Sequence, residues 1–182
     1  MSESHLFALS AIGRDRPGIV AAVSAALLAH EVNVEDSQMT ILRGHFTMVL
    51  VVAGSSSLDV AGLRADLEAV REHLQLEALS VSPVEQLDAA PDPVPSLMVT
   101  VYGADHPGIL HAFSQAVAQR GVDITDLTTR LVGEDEEPIY ALMMELALPN
   151  GADAAELRAA LERLGTEQAV DVSLRDIDTD AL

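Results

Sequence analysis

The apolar stretch "HLFALSAIG" from His5 reads as a strand, and from Pro17 the spacing changes, with Ile19, Val23 and Leu27 four apart on one face of a helix. Two extended stretches follow, about Val32 to Leu42 and Phe46 to Ala53, joined by Arg43, Gly44 and His45, where Gly44 suits a tight hairpin. Val60, Leu63, Leu67, Val70 and Leu74 then mark a second amphipathic helix, and "LEALSVS" from Leu76 closes with a strand. The predicted order is βαββαβ.

The same order appears twice. "GRDRPGIV" from Gly13 is echoed by "GADHPGIL" from Gly103, and "HEVNVEDSQMT" from His30 by "RGVDITDLTTR" from Arg120, at a constant offset of 90 residues. The offset then grows to 94, pairing "FTMVLVV" from Phe46 with "YALMMEL" from Tyr140, and Leu63 with Leu157. The extra residues fall in "GEDEEP" from Gly133, which reads as a longer hairpin tip, where insertions leave paired strands intact. In the second copy Ile109, Phe113 and Val117 mark one helix, and Leu157, Leu161 and Leu164 the other. Between the copies runs "PVEQLDAAPDPVPS", a polar stretch with four prolines that reads as a linker. The expected organisation is a first domain over 1–83, a linker over 84–96 and a second domain over 97–182. The class is α+β: two ferredoxin-like sandwiches, each a four-stranded antiparallel sheet with both helices on one face. In that topology the strands near Val32 and Val122 are sheet edges, and two such edges can pair into an internal pseudo-dimer.

The duplicated Asp-x-Pro-Gly is the candidate chemistry. Proline suits a first helical position, so Pro17 and Pro107 are expected to mark helix starts. Gly18 and Gly108 carry no side chain and leave first-turn N–H groups open, at the positive end of the helix dipole, to a carboxylate or phosphate. The competing reading makes Asp15 and Asp105 caps or braces and the glycines close-packing residues. Asn33 and Asp123, each after a helix at the mouth of an edge strand, form a second matched pair. If the edges pair, N–H donors face side-chain and main-chain oxygens, a constellation that fits a free α-amino acid, with Ile19 and Ile109 limiting side-chain size.

Composition narrows the classes. Ten Lys and Arg stand against 29 Asp and Glu, a formal charge of −19, which repels a phosphate backbone and argues against direct nucleic-acid binding. Aromatic residues are 3% of the chain, so the core must be aliphatic. The absence of cysteine excludes disulfides, thiolate chemistry and sulfur-ligated zinc. The N-terminus lacks a signal-peptide pattern, and the longest apolar run, "MVLVVA" from Met48, is too short to cross a bilayer. The expectation is a soluble cytoplasmic protein without a membrane contact.

The stretches "GRDRPGIVAAVSAAL" with "VNVEDSQMT", and "GADHPGILHAFSQAV" with "VDITDLTTR" and "PIYALMMELALP", resemble those of tandem ACT-domain proteins. The closer likeness is to the freestanding two-ACT group that includes glycine cleavage system transcriptional repressors. That resemblance implies small-molecule regulation by an amino acid such as glycine or serine, and action through a protein partner rather than on DNA. It also implies no cofactor and a homo-oligomer. Matched residue by residue, the implied ligand positions are Asp15, Arg16, Pro17, Gly18 and Ile19, then Asp105, His106, Pro107, Gly108 and Ile109, with Asn33, Val34, Asp123 and Ile124 opposite. Asp123 departs from the Asn of many such sites, so the two sites are expected to differ.

The Asp-Arg-Pro-Gly-Ile-Val opening also resembles the regulatory region of formyltetrahydrofolate hydrolases and some phosphoserine phosphatases, whose chemistry lies in a separate domain. No enzymatic constellation is expected in these residues. His106 and His111 lack the H-E-x-x-H spacing of a zinc hydrolase, and Ser24 and Ser114 lack a nucleophile-elbow setting and read as helix-packing residues. The acidic tip from Gly133 lacks the ligand pattern of a calcium loop. The alternatives to a sensor are a ligand-free structural or interaction module and a regulatory subunit of a metabolic enzyme.

Overall fold

The structure is a computed structural model that describes residues 4–84, 93–133 and 138–177. It divides into two compact units, Met1–Ala90 and Pro91–Leu182. The first contains β1 (Ser4–Arg14), α1 (Ile19–Ala29), β2 (Asn33–Leu42), β3 (His45–Ser55), α2 (Val60–Leu74) and β4 (Ala78–Pro83). The second contains β5 (Leu97–Ala104), α3 (Ile109–Ala118), β6 (Asp123–Val132), β7 (Ile139–Ala147), α4 (Ala154–Gln168) and β8 (Val170–Asp176). The sheet orders are β2-β3-β1-β4 and β6-β7-β5-β8, antiparallel throughout, which is the ferredoxin-like arrangement expected from the hydrophobic spacing. Most of the expected linker, residues 85–92, and the tip residues 134–137 lie outside the described residues.

Each unit has its own core, built by period two on the strands and by a helical stripe above them. In the first, Phe7, Leu9 and Ala11 of β1 and Phe46, Met48, Leu50 and Val52 of β3 turn to one face and meet Ile19, Val23 and Leu27 of α1 and Leu63 and Leu67 of α2. In the second, Val99, Val101, Leu142, Met144 and Leu146 meet Ile109, Phe113, Val117, Leu157 and Leu161. Among the described residues no polar or charged residue is buried as a whole, and Arg120 Nε is the buried side-chain polar atom left without a hydrogen-bond partner. Phe113 is fully buried in the second core, and Tyr140 packs against that core partly buried.

The hairpin between β2 and β3 has a two-residue loop, with Leu42 opposite His45 and positive φ at both Arg43 (51°) and Gly44 (84°). That is the turn whose twist matches flanking strands. Beyond it, β2 contains a bulge: Val34 pairs with Val52 and Asp36 with Val51, leaving Glu35 without a partner. Thr125 is skipped in the same way in β6. One extra residue inverts the alternation. Val34, Ser37, Met39 and Ile41 therefore share the helix-facing side with Val52, Leu50, Met48 and Phe46, although every residue of this edge strand is exposed.

The two helices of a unit start differently. Asp59 accepts hydrogen bonds from the N–H groups of Ala61 (3.1 Å) and Gly62 (3.0 Å) at the start of α2, and Asp153 from Ala155 (2.9 Å) and Glu156 (3.0 Å) at the start of α4. No side chain caps α1 or α3. At the far edge of each sheet an arginine of the second helix donates to a strand carbonyl, Arg64 to Val81 and Arg158 to Leu174. Asp59→Ala and Asp153→Ala are each expected to lower stability by about 1 kcal/mol, read as a reduced urea midpoint at unchanged slope.

Candidate functional site

The two glycines of each repeated motif are required for different reasons. Gly13 lies at the end of β1, where a Cβ would stand 3.0 Å from the Leu76 Cα and 2.9 Å from its Cδ2. Gly103 meets the same obstruction, 3.1 Å from the Val170 Cα. The chain entering the last strand thus passes directly against the first. Gly18 and Gly108 face open space, but their φ angles are 99° and 107°, a region that L side chains rarely adopt. Close packing is therefore not their role. They are the N-caps, and the first helical residues are Ile19 and Ile109. Pro17 and Pro107 precede the helices by two positions instead of opening them, because the chain needs the left-handed glycine to turn from strand into helix.

The loop so formed is braced from two sides. The Asp15 N–H donates to the Gly44 carbonyl (2.8 Å), at the β2–β3 turn, and the Asp105 N–H to the Pro138 carbonyl (3.3 Å), before β7. Arg16 donates to the Gln75 Oε1 (3.5 Å) at the C-terminal cap of α2. His106, its counterpart, has Nε2 2.9 Å from the Gln168 carbonyl at the end of α4 and Nδ1 3.2 Å from the Pro107 carbonyl. Asp15 and Asp105 brace through their backbones, and their exposed carboxylates cap neither helix. The first-turn N–H groups of α1 and α3 consequently have no side-chain acceptor, and the dipole makes each terminus an anion-favouring end.

The structure gathers Asp15, Arg16, Pro17 and Gly18 at one helix start and Asp105, His106, Pro107 and Gly108 at the other. Within a unit it does not bring Asn33 or Asp123 to them. Asn33 opens β2 beyond the far end of α1, and 11 helical residues separate the two by about 16 Å. Ile19 and Ile109 are 2% and 1% exposed, with side chains in the cores. The apolar groups presented outward at these turns are Val20 and Leu110.

Beside α1 the overhanging edge strand leaves a cavity of about 240 Å³, lined by Val20, Val23 and Ser24 of the helix, Val34, Ser37, Gln38 and Met39 of β2, and Met48 and Leu50 of β3. Of the expected residues only Val34 lines it. One signal in the sequence could have found the β2 residues of this lining: apolar positions move from even (Val32, Val34) to odd (Met39, Ile41) across Glu35, which marks the bulge. Four matching positions of the second unit carry larger side chains, Leu110, Phe113, Ile124 and Leu127, while Thr128 and Thr129 replace Gln38 and Met39 with smaller ones. Tyr140 occupies the place of the buried Phe46. Burial raises its pKa and the Asp105 carboxylate raises it further, against the Thr129 hydroxyl, so this phenol stays protonated.

Ser24 and Ser114 each donate back to a carbonyl three residues earlier (3.1 and 3.2 Å), as hydroxyls in helices do. Among the described residues no group of three or more His, Asp or Glu is placed to hold a metal ion, and no helix is long and apolar enough to cross a membrane.

The ACT domain family profile matches residues 5–79 and 96–175, one match per unit. The glycine cleavage system transcriptional repressor of Escherichia coli is 28% identical over 177 residues, covering 92% of this chain and 87% of that protein. Two solved structures share the fold over nearly the whole length. An unknown protein from Galdieria sulphuraria has a TM-score of 0.79 at 26% identity, covering 97% of this chain and 100% of that one. A structure described as a putative glycine cleavage system transcriptional repressor has a TM-score of 0.73 at 22% identity, covering 98% of this chain and 100% of that one.

Gly18→Ala is expected to cost about 1 to 2 kcal/mol although the added methyl touches nothing, because the strain is in the backbone. Asp15→Ala, which removes no cap, is expected to stay within about 0.5 kcal/mol of the parent. Both are read by chemical denaturation.

Proposed function

The chain belongs to the ACT domain family, and from that membership we propose that it is a sensor of a small amino acid, glycine or serine, that acts through a protein partner. The observation that carries this reading is the uncapped, glycine-led start of α1 beside the α1–β2 cavity of about 240 Å³. Open N–H groups at a helix terminus bind a carboxylate. The cavity offers aliphatic walls with the hydroxyls of Ser24 and Ser37 and the Gln38 amide, a lining suited to a short aliphatic or hydroxylated side chain. Asn33 and Asp123, matched at the starts of β2 and β6, carry oxygens suited to an ammonium. Binding favours one conformation of the chain, and by linkage the partner alters ligand affinity equally.

The name of the Escherichia coli relative supports transcriptional control of glycine metabolism as the setting, and the −19 charge supports action on a protein and not on DNA. The same data support a cytoplasmic, non-enzymatic regulator. A ligand-free interaction module is the second reading, favoured by edge strand β2, fully exposed and carrying Val34, Met39, Ile41 and Leu42.

Calorimetry and thermal shift with a panel of amino acids separate the two. The sensor reading expects glycine or serine to bind and raise Tm, and Ser37→Leu, which copies the second unit's residue into the cavity, to weaken binding at least tenfold, about 1.4 kcal/mol. If no amino acid stabilises the chain at concentrations well above millimolar, the protein is not a sensor of this kind.

A further inference from the structure

His106 is held between two groups that can only accept. Its Nε2 is 2.9 Å from the Gln168 carbonyl oxygen and its Nδ1 is 3.2 Å from the Pro107 carbonyl oxygen. A neutral imidazole donates from one nitrogen and turns a lone pair outward from the other. In this setting that lone pair would face an oxygen. Only the doubly protonated ring satisfies both contacts.

We propose that His106 is a proton-dependent latch: the doubly protonated ring ties the β5–α3 loop to the C-terminal end of α4 by a charge-assisted Nε2–H bond while Nδ1–H holds the Pro107 carbonyl, and loss of one proton weakens the tie, because the neutral ring keeps one of the two bonds and no charge. The link joins residues 62 apart in the chain, and it is the side-chain tie between this loop and α4. Two further features favour the charged ring. Gln168 is the last residue of α4, where the helix dipole is negative, and Asp105 precedes the ring on its own loop. The carbonyl of Gln168 raises the imidazole pKa most, that of Pro107 next, and the Asp105 carboxylate adds to them against a smaller opposing effect of desolvation. Asp105 is the charged side chain that bears on the ring, and Tyr140 of β7, which faces Asp105, stays neutral.

The first unit makes the corresponding tie with a guanidinium, a group that proteins do not deprotonate: Arg16 reaches the Gln75 side chain at the end of α2. The latch is thus confined to the second unit. It requires no ligand, and it stands or falls independently of the amino-acid reading.

The pH window follows from the direction of the shift. With the folded-state pKa above the ordinary imidazole value of about 6.5, the stabilisation is complete below that value and is lost as pH rises through the folded-state one. The test is an NMR titration of the His106 Cε1–H in the full chain, folded and in urea, with the resonance identified by its loss in His106→Gln. The folded midpoint is expected above the unfolded one. Amide protection near Gln168 and Ala169, corrected for intrinsic exchange, is expected to fall across the same range. His106→Arg, which copies the first unit, is expected to keep that protection while removing its pH dependence. A folded midpoint equal to or below the unfolded one, measured on the parent chain alone, overturns the proposal. So does protection in His106→Arg that falls with pH as in the parent.

Discussion

Four residues separate the inner strand of each sheet from the helix that covers it, and within them the chain must rise out of the sheet plane and reverse. Asp15 to Gly18 and Asp105 to Gly108 achieve this by ending in a glycine with φ near 100°. No capping side chain takes part, because the glycine at the N-cap has none to offer. Where the route is less demanding, before α2 and α4, an aspartate caps the helix in the ordinary way. The sharp turn and the open first-turn N–H groups are thus one geometric solution. The backbone brace from each aspartate N–H holds that solution in place without using the carboxylate.

The bulge at Glu35 has a comparable reach. It carries Val34 and Met39 to the same side of β2 although they are an odd number of residues apart, and so lays an apolar strip alongside α1 at the edge of the sheet. The width of the space left there depends on side-chain size at a few positions. In the first unit it is a cavity; at the matching positions of the second unit four side chains are larger.

The order of elements, the edge positions of β2 and β6 and the core stripes such as Ile109, Phe113 and Val117 were legible in the sequence, because burial imposes a period that few residues break. The helix starts were misplaced by two residues. Proline is compatible with both a first helical position and the turn before it, and only the positive φ of the next glycine decides between them. Adjacency in sequence likewise says nothing about direction: Ile19 points into the core and its neighbour Val20 outward. The role of Gly13 was hidden because its partner, Leu76, lies far along the chain. The cavity residues were missed because the bulge shifts the face that each β2 position occupies.

Joining two copies of one fold in a single chain removes a constraint that identical subunits obey. In a symmetric assembly of one-unit chains every substitution appears at all equivalent places, so a loop tied by arginine is tied by arginine everywhere. Here the equivalent of Arg16 is His106 and the equivalent of Phe46 is Tyr140. Each unit buries its own core, so such differences accumulate in one copy without being copied into the other. The duplicated turn therefore acts as a fixed frame around which two environments drift apart, one tied by a guanidinium and one by an imidazole.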